Sequence, residues 1–236
     1  MSVWADIGNL IAARSVRAWS GVLEAIRTLM SGDPEKRRQV AFSIAMIALS
    51  AKMAKADGIV TQDEIRAFRE IVYVPDNQVR NVARLYDLAK QDVAGFESYA
   101  QQMAGLCGSG RPNCAVLEDI IDGLFHIATA DGVIHESEVG YLHRIAEIFE
   151  IDEAHFRSIL ARHAVQGEGD PYEILGIGRD ASATDARERY RELVKQNHPD
   201  RLIARGMPPE FVAIATRRLA AINDAYSIVE RALKPA

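Results

Sequence analysis

The sequence has 236 residues, 48% of them hydrophobic and 26% charged, with a formal net charge of −5; this can bury ordinary cores and implies one or two domains. Of its 28 Lys/Arg and 33 Asp/Glu, residues 170–236 hold 11 and 10, which leaves 17 and 23 for the first 169. The acidic balance therefore lies in the N-terminal part, and the basic domain that a general nucleic-acid binder needs is absent.

Taken in chain order, residues 3–30 place Trp4, Ile7, Leu10, Ile11, Trp19, Val22, Leu23, Ile26 and Met30 near helical spacing, which predicts one long or broken amphipathic helix. We expect it to pack on the following core or on a second copy of the chain; the alternative is peripheral membrane contact through its tryptophans and arginines. No secretory signal is evident. The best apolar stretch, Gln39 to Ala51, ends at Lys52 and is too short to span a bilayer, so neither signal peptide nor transmembrane anchor is expected.

Ser31-Gly32-Asp33-Pro34 marks a boundary, with Asp33 as N-cap and Pro34 as first helical residue. Residues 35–56 read as a mostly apolar helix for the centre of a bundle. Ala54-Lys55-Ala56-Asp57-Gly58-Ile59-Val60 then returns 74 residues later as Ala128-Thr129-Ala130-Asp131-Gly132-Val133-Ile134, with Glu64 and Glu138 in matching positions. Each copy reads as helix stop, turn and helix start. Gly58 and Gly132 supply the left-handed residue, Thr61 with Glu64 a capping box, and the two branched residues pin the turn to the core. In the second copy His135 replaces the cap, a weaker start. The acids Asp57, Glu64, Asp131 and Glu138 are the candidate oxygen ligands for a divalent cation, although neither copy has the dense ligand loop of an EF-hand. No other cofactor is expected.

Further helical runs follow over Val79 to Leu88, Asp92 to Leu106, Leu117 to Ile127, Glu138 to Phe149 and Glu153 to Ala164. Nothing reads as strand, so the fold class is all-α. His126 reads as a packing residue, and His143 and His155 as helix-surface residues. No nucleophile–base pair is assignable, and the chain reads as a non-enzyme. Cys107 and Cys114 are too few for a four-cysteine zinc site. They read as two reduced thiols, with a local disulfide or a partner-dependent metal site as the alternative. Gln166-Gly167-Glu168-Gly169 is a short linker.

Beyond it, Asp170 caps a short helix with Pro171 at its first position, Glu173 completing the box and Gly176 ending it. A second helix starts at Ser182 or Thr184 and runs through RERYRELVKQN. Arg187, Arg191 and Lys195 fall at i, i+4 and i+8 as one cationic stripe, with Ala186, Tyr190, Leu193 and Asn197 on a neighbouring face. Pro199 stops the helix and presents His198 and Asp200 on a loop expected to continue to Gly206. Pro208-Pro209 opens a third helix whose inward face is Phe211, Ala215, Leu219, Ile222, Tyr226 and Val229, antiparallel to the second.

The His198-Pro199-Asp200 tripeptide after a basic helix, with Asp170 to Ile177 before it and Ile222 to Val229 after it, resembles the J domain of the DnaJ family. The internal repeat resembles the TerB family. Together with the stretch His198 to Glu210, the chain is most similar to the DjlA-like proteins, which join a TerB-like domain to a C-terminal J domain. Members of the enterobacterial type carry an N-terminal transmembrane anchor, which is not carried over here. With the segment and linker read above, the expected organisation is an amphipathic segment at 1–30, a TerB-like helical domain at 31–165, a linker at 166–169 and a J domain at 170–236. It implies a cytoplasmic co-chaperone, with the inner-membrane periphery as alternative location, that recruits a DnaK-type chaperone and stimulates its ATP hydrolysis. The TerB-like domain would then recognise a client or partner. By the same resemblance Asp200 would accept from a chaperone cation, His198 and Pro199 would shape the loop, and Arg187, Tyr190, Arg191 and Lys195 would form the docking face. Glu188 and Glu192 stand where the family is often basic, and Arg189 where a small residue is common, which dilutes the field. The alternative function is a metal-responsive stress scaffold using the J-like part only as an interaction module.

Overall fold

A computed structural model describes residues 34–57, 62–72, 74, 76, 79–91, 95–105, 114–164, 169–204 and 212–234. The expected helix at 3–30, the first turn Gly58 to Thr61, the linker at 166–168 and the start of the third J helix at Pro208 to Phe211 lie outside them. Among the described residues there are eleven α-helices and no strand. They are α1 Pro34–Asp57, α2 Gln62–Ile71, α3 Val79–Gln91, α4 Phe96–Ala104, α5 Ala115–Ala128, α6 Glu136–Ile148 and α7 Glu153–His163, then α8 Pro171–Leu175, α9 Ala183–Gln196, α10 Pro199–Ala204 and α11 Val212–Leu233. None of the described helices is long and apolar enough to cross a membrane.

The apolar run in α1 has the predicted consequence. Every side chain from Ser43 to Ala54 is buried, because α3, α4, α5 and α6 all pack on this helix and a helix without a polar face must be covered all round. Even Lys52 is buried, with its ammonium 4.7 Å from the centre of the Tyr99 ring. Tyr141 on α6 donates to the Leu49 carbonyl at 2.7 Å, so a buried hydroxyl is satisfied by a backbone acceptor in the bundle centre.

The second repeat copy forms the predicted stop, turn and start. Gly132 has φ +88°, the region glycine enters without steric cost. Asp131 Oδ1 accepts from the Val133 amide at 3.1 Å, and the Glu138 carboxylate accepts from the His135 amide at 2.9 Å. Glu138 thus makes the reverse half of a capping box from a buried position. Only Ile134 of the branched pair packs on the core, whereas Val133 is 57% exposed; adjacent residues of an extended segment face opposite ways.

Cys114 is disulfide-bonded. The reading of two reduced thiols is therefore corrected for Cys114; Cys107 lies outside the described residues.

In the C-terminal part, Asp170 accepts from the Tyr172 amide and Gly176 ends α8 at φ +65°. The second oxygen of Asp170 pairs with Arg179 at 2.7 Å. Ser182, not Thr184, caps α9 in a reciprocal box with Asp185. Contacts between Tyr190 and Tyr226 and between Asn197 and Arg218 show that α9 and α11 run antiparallel. The two tyrosine rings stack with centres 4.1 Å apart, 10° from parallel.

The two parts share an interface that the sequence does not display. Ile214 and Ala215, at the start of α11, are buried in the core of the large bundle, while Ala161 on α7 belongs to the small core with Leu175, Leu193 and Ile222. Ser158 on α7 donates to the Ile174 carbonyl on α8 at 3.0 Å. The expectation that Ala215 lies on the inner face of the J-like unit is corrected: the first turns of α11 belong to the neighbouring core. A 22-residue helix is about 33 Å long, enough to serve both.

Candidate partner-binding site

Helix α9 ends because Asn197 leaves helical geometry and closes the last turn; its amide and its side-chain Nδ2 both donate to the Leu193 carbonyl, at 2.9 and 2.8 Å. The chain then starts a new helix, α10, directly at Pro199. The expected loop after the tripeptide is therefore corrected over Pro199–Ala204. Proline lacks the amide that a first-turn position cannot use, and His198 stands in for the cap. Its carbonyl accepts from the Arg201 amide at 2.9 Å and its Nδ1 from the Asp200 amide at 3.2 Å. With Nδ1 accepting, the neutral ring carries its proton on Nε2. The His198 and Asp200 side chains are 53% and 86% exposed, as expected for groups outside the core.

Arg187, Arg191 and Lys195 are all exposed, one turn apart along α9, and Tyr190 beside them is half-buried. Tyr190, Arg191, Val194, Lys195, His198 and Arg201 line a shallow hollow of about 390 Å³. The structure thus brings Tyr190, Arg191, Lys195 and His198 around one hollow, with Pro199 and Asp200 following at its end. The other face of α9 turns toward α8 and α11. Arg189 donates to the Leu175 carbonyl at 3.1 Å and pairs with Glu192 at 2.8 Å, so one of the two acids set against the cationic stripe is engaged by a neighbouring arginine.

Of the four acids that the repeat nominates as cation ligands, Glu138 caps α6, Asp131 bonds its own turn and Glu64 lines an apolar groove between α1, α2 and α3. The side chain of Asp57 lies outside the described residues. Among the described residues no group of three or more His, Cys, Asp or Glu is set to hold a metal.

A charged cluster that sequence reasoning missed lies behind α9. Arg218 on α11 is buried, and its Nε and Nη2 donate to Asp122 Oδ2 at 2.9 and 2.8 Å. Its Nη1 donates to Asp119 Oδ1 and to Asn197 Oδ1, each at 2.9 Å. Asp122 also receives His163 Nε2 at 3.0 Å and Arg162 Nη2 at 3.3 Å. Burial alone would raise the pKa of Asp122, but Arg218, with His163 and Arg162, holds it well below the usual carboxylate range. Burial likewise opposes the charge on Arg218, and Asp122 and Asp119 outweigh it. A signal was present: Asp119 and Asp122 lie one turn apart on a helix among Leu117, Ile120, Ile121, Leu124 and Phe125, and Arg218 falls on the inward stripe between Ala215 and Ile222. Buried charges of this kind are paired.

At the rim of the same interface, Arg217 pairs with Glu70 at 3.0 Å and places Nη1 2.8 Å from His126 Nδ1, while His126 Nε2 lies 3.2 Å from Glu70. His126 is thus tied to both units. Burial, followed by Arg217, lowers its pKa. Arg217→Ala should raise the His126 pKa in an NMR titration, since it removes a cation from the ring's edge. An unchanged or lower value would show that the contact is not formed.

The family model of tellurite resistance protein TerB matches residues 43–161, and that of the DnaJ domain matches residues 170–234. The chain is 27% identical over 226 residues to co-chaperone protein DjlA of Photobacterium profundum, covering 83% of this chain and 79% of that one. It is 28% identical over 219 residues to DjlA of Coxiella burnetii, covering 84% and 80%. DjlA of Vibrio cholerae matches at 27% over 236 residues, covering 86% and 82%. No solved structure matches. With the TerB match spanning just over half its length and the DnaJ match following directly, the chain belongs to the TerB family and is a DjlA-like protein: a TerB domain joined to a C-terminal J domain.

Proposed function

We propose that this chain is a co-chaperone that recruits a DnaK-type chaperone through His198, Pro199 and Asp200 and the cationic face Arg187, Tyr190, Arg191 and Lys195. On this reading it accelerates the partner's ATP hydrolysis, and the TerB domain binds a client or partner. The observation that carries the reading is the exposure of His198 and Asp200 at the end of a cationic stripe that the TerB domain leaves open. Binding residues must be reachable, and here α8 and α11 take the opposite face of the same helix. The names of the relatives support the same role. The chain's part is to bind and orient; hydrolysis belongs to the partner's nucleotide site.

The test is single-turnover ATP hydrolysis by a DnaK-type chaperone with and without the purified chain. No acceleration by the wild-type chain would overturn the reading. Salt should separate binding from the later step. Attraction between exposed charges is screened over about 8 Å at physiological ionic strength and about 3 Å at 1 M, and it acts mainly on encounter. The half-saturating concentration of the chain should therefore rise severalfold between low and high salt, with maximal stimulation little changed. A salt-independent half-saturation would remove the cationic stripe from the docking face.

A further inference from the structure

Arg218 joins three helices with one planar group. Nη1 carries two hydrogens, and both are used: one on Asp119 of α5, in the TerB domain, and one on Asn197, the residue directly before His198. Nε and Nη2 fix the same plane against Asp122. Rotating the guanidinium to follow a displaced Asn197 would break bonds to a buried carboxylate, and moving α5 would withdraw the support from Asn197. Asn197 in turn closes α9 through the Leu193 carbonyl, and His198 caps α10 immediately after it. Hydrogen bonds thus run from the TerB domain to Asn197, and the backbone carries the link one residue on to the tripeptide turn.

We propose that Arg218 is a positioning residue that ties the orientation of the His198–Asp200 turn to the TerB domain through Asp119 and Asn197. The turn is thereby aimed by a side chain of the other domain. A rearrangement of α5 is felt at the turn, while the cationic stripe on α9's far face is left in place. The proposal rests on the co-chaperone reading for its consequence in stimulation, but not for the mechanical link itself.

Asp119 is the position to alter, since it lies in the other domain and outside the proposed docking face. In the full-length chain Asp119→Ala should increase amide exchange at Asp200 and Arg201 at least fivefold. The Asp185 and Ala186 amides at the start of α9, held by the Ser182 cap, should not change. Asp119→Asn, which keeps an acceptor oxygen of the same reach, should restore most of the protection. With a DnaK-type chaperone, Asp119→Ala should lower maximal stimulation at least threefold and leave the half-saturating concentration unchanged. A merely destabilising change would instead lower the active fraction, raising the apparent half-saturating concentration and leaving the maximum unchanged. If Asp119→Ala does not fold, Asn197→Ala, which cuts the link at its other end, takes its place in the same comparison. Unchanged exchange at Asp200 and Arg201 in a folded variant overturns the proposal whether or not the wild-type chain stimulates. Altered exchange with a wild-type chain that stimulates nothing supports the link and sinks the co-chaperone reading instead.

Discussion

Asp200→Asn should reduce stimulation of a DnaK-type ATPase by at least tenfold while leaving the chain folded. The side chain is 86% exposed, and the Asp200 bond that closes the turn is made by its amide, donating to His198 Nδ1. An asparagine keeps that amide, the shape of the side chain and one acceptor oxygen. What it loses is the negative charge, which makes the carboxylate a strong acceptor toward a cation on another protein. Asp200 also lies in the first turn of α10, where an acid stabilises the helix by about 0.3–1 kcal/mol, so the cost to stability is small. His198→Gln reaches the same end by another route: it removes the ring that caps α10. Circular dichroism and a melting curve would establish that both variants fold. A variant with wild-type stimulation would mean that the exposed carboxylate is a helix-capping acid and nothing more.

The parts of this molecule that were legible in the sequence are those fixed within a few residues. Gly176, Gly132, the apolar α1 and the spacing of Arg187, Arg191 and Lys195 all depend on local geometry, and each is found as the pattern reads; of the two starts open for α9, Ser182 is the one used, with Asp185. The sequence alone reads as loop after Pro199 because Pro199 ends one helix. The same residue is also well suited to begin the next, and only the His198 bonds to the Asp200 and Arg201 amides decide between the two. The docking of the two domains was not legible because its determinants are far apart in the chain. Asp119 and Arg218 are 99 residues apart, and Glu70 and Arg217 are 147. Periodicity marks which face of a helix is buried, but not which core buries it, and α11 is buried in two.

Arg218→Met should destabilise the chain by about 3–5 kcal/mol at pH 7, the cost of removing one partner from a buried ion pair. Methionine fills much of the arginine stem's volume, so the loss is mainly electrostatic: Asp122 remains buried facing Arg162 and His163, and buried Asp119 loses its bond to Arg218. The pH dependence follows from the sign of the shift. The folded-state pKa of Asp122 is depressed, so its contribution is fully present above the unfolded value of about 3.9 and is lost as pH falls from there through the folded value. In Arg218→Met the largest force holding that pKa down is gone and burial pushes it up, so Asp122 can take a proton at higher pH. The gap between wild type and variant should therefore be widest near neutrality and narrow toward pH 4 in urea unfolding series. The triple variant Asp119→Leu, Asp122→Leu, Arg218→Met should recover most of the lost stability, because apolar groups of similar size replace a buried charge cluster at little cost. If it does, while the Asp200 and Arg201 amides remain deprotected, the cluster is retained for where it holds Asn197 and not for the stability it adds. An Arg218→Met cost below about 1 kcal/mol, the scale of an exposed pair, would instead mean that water reaches the cluster and that the two domains part readily in solution.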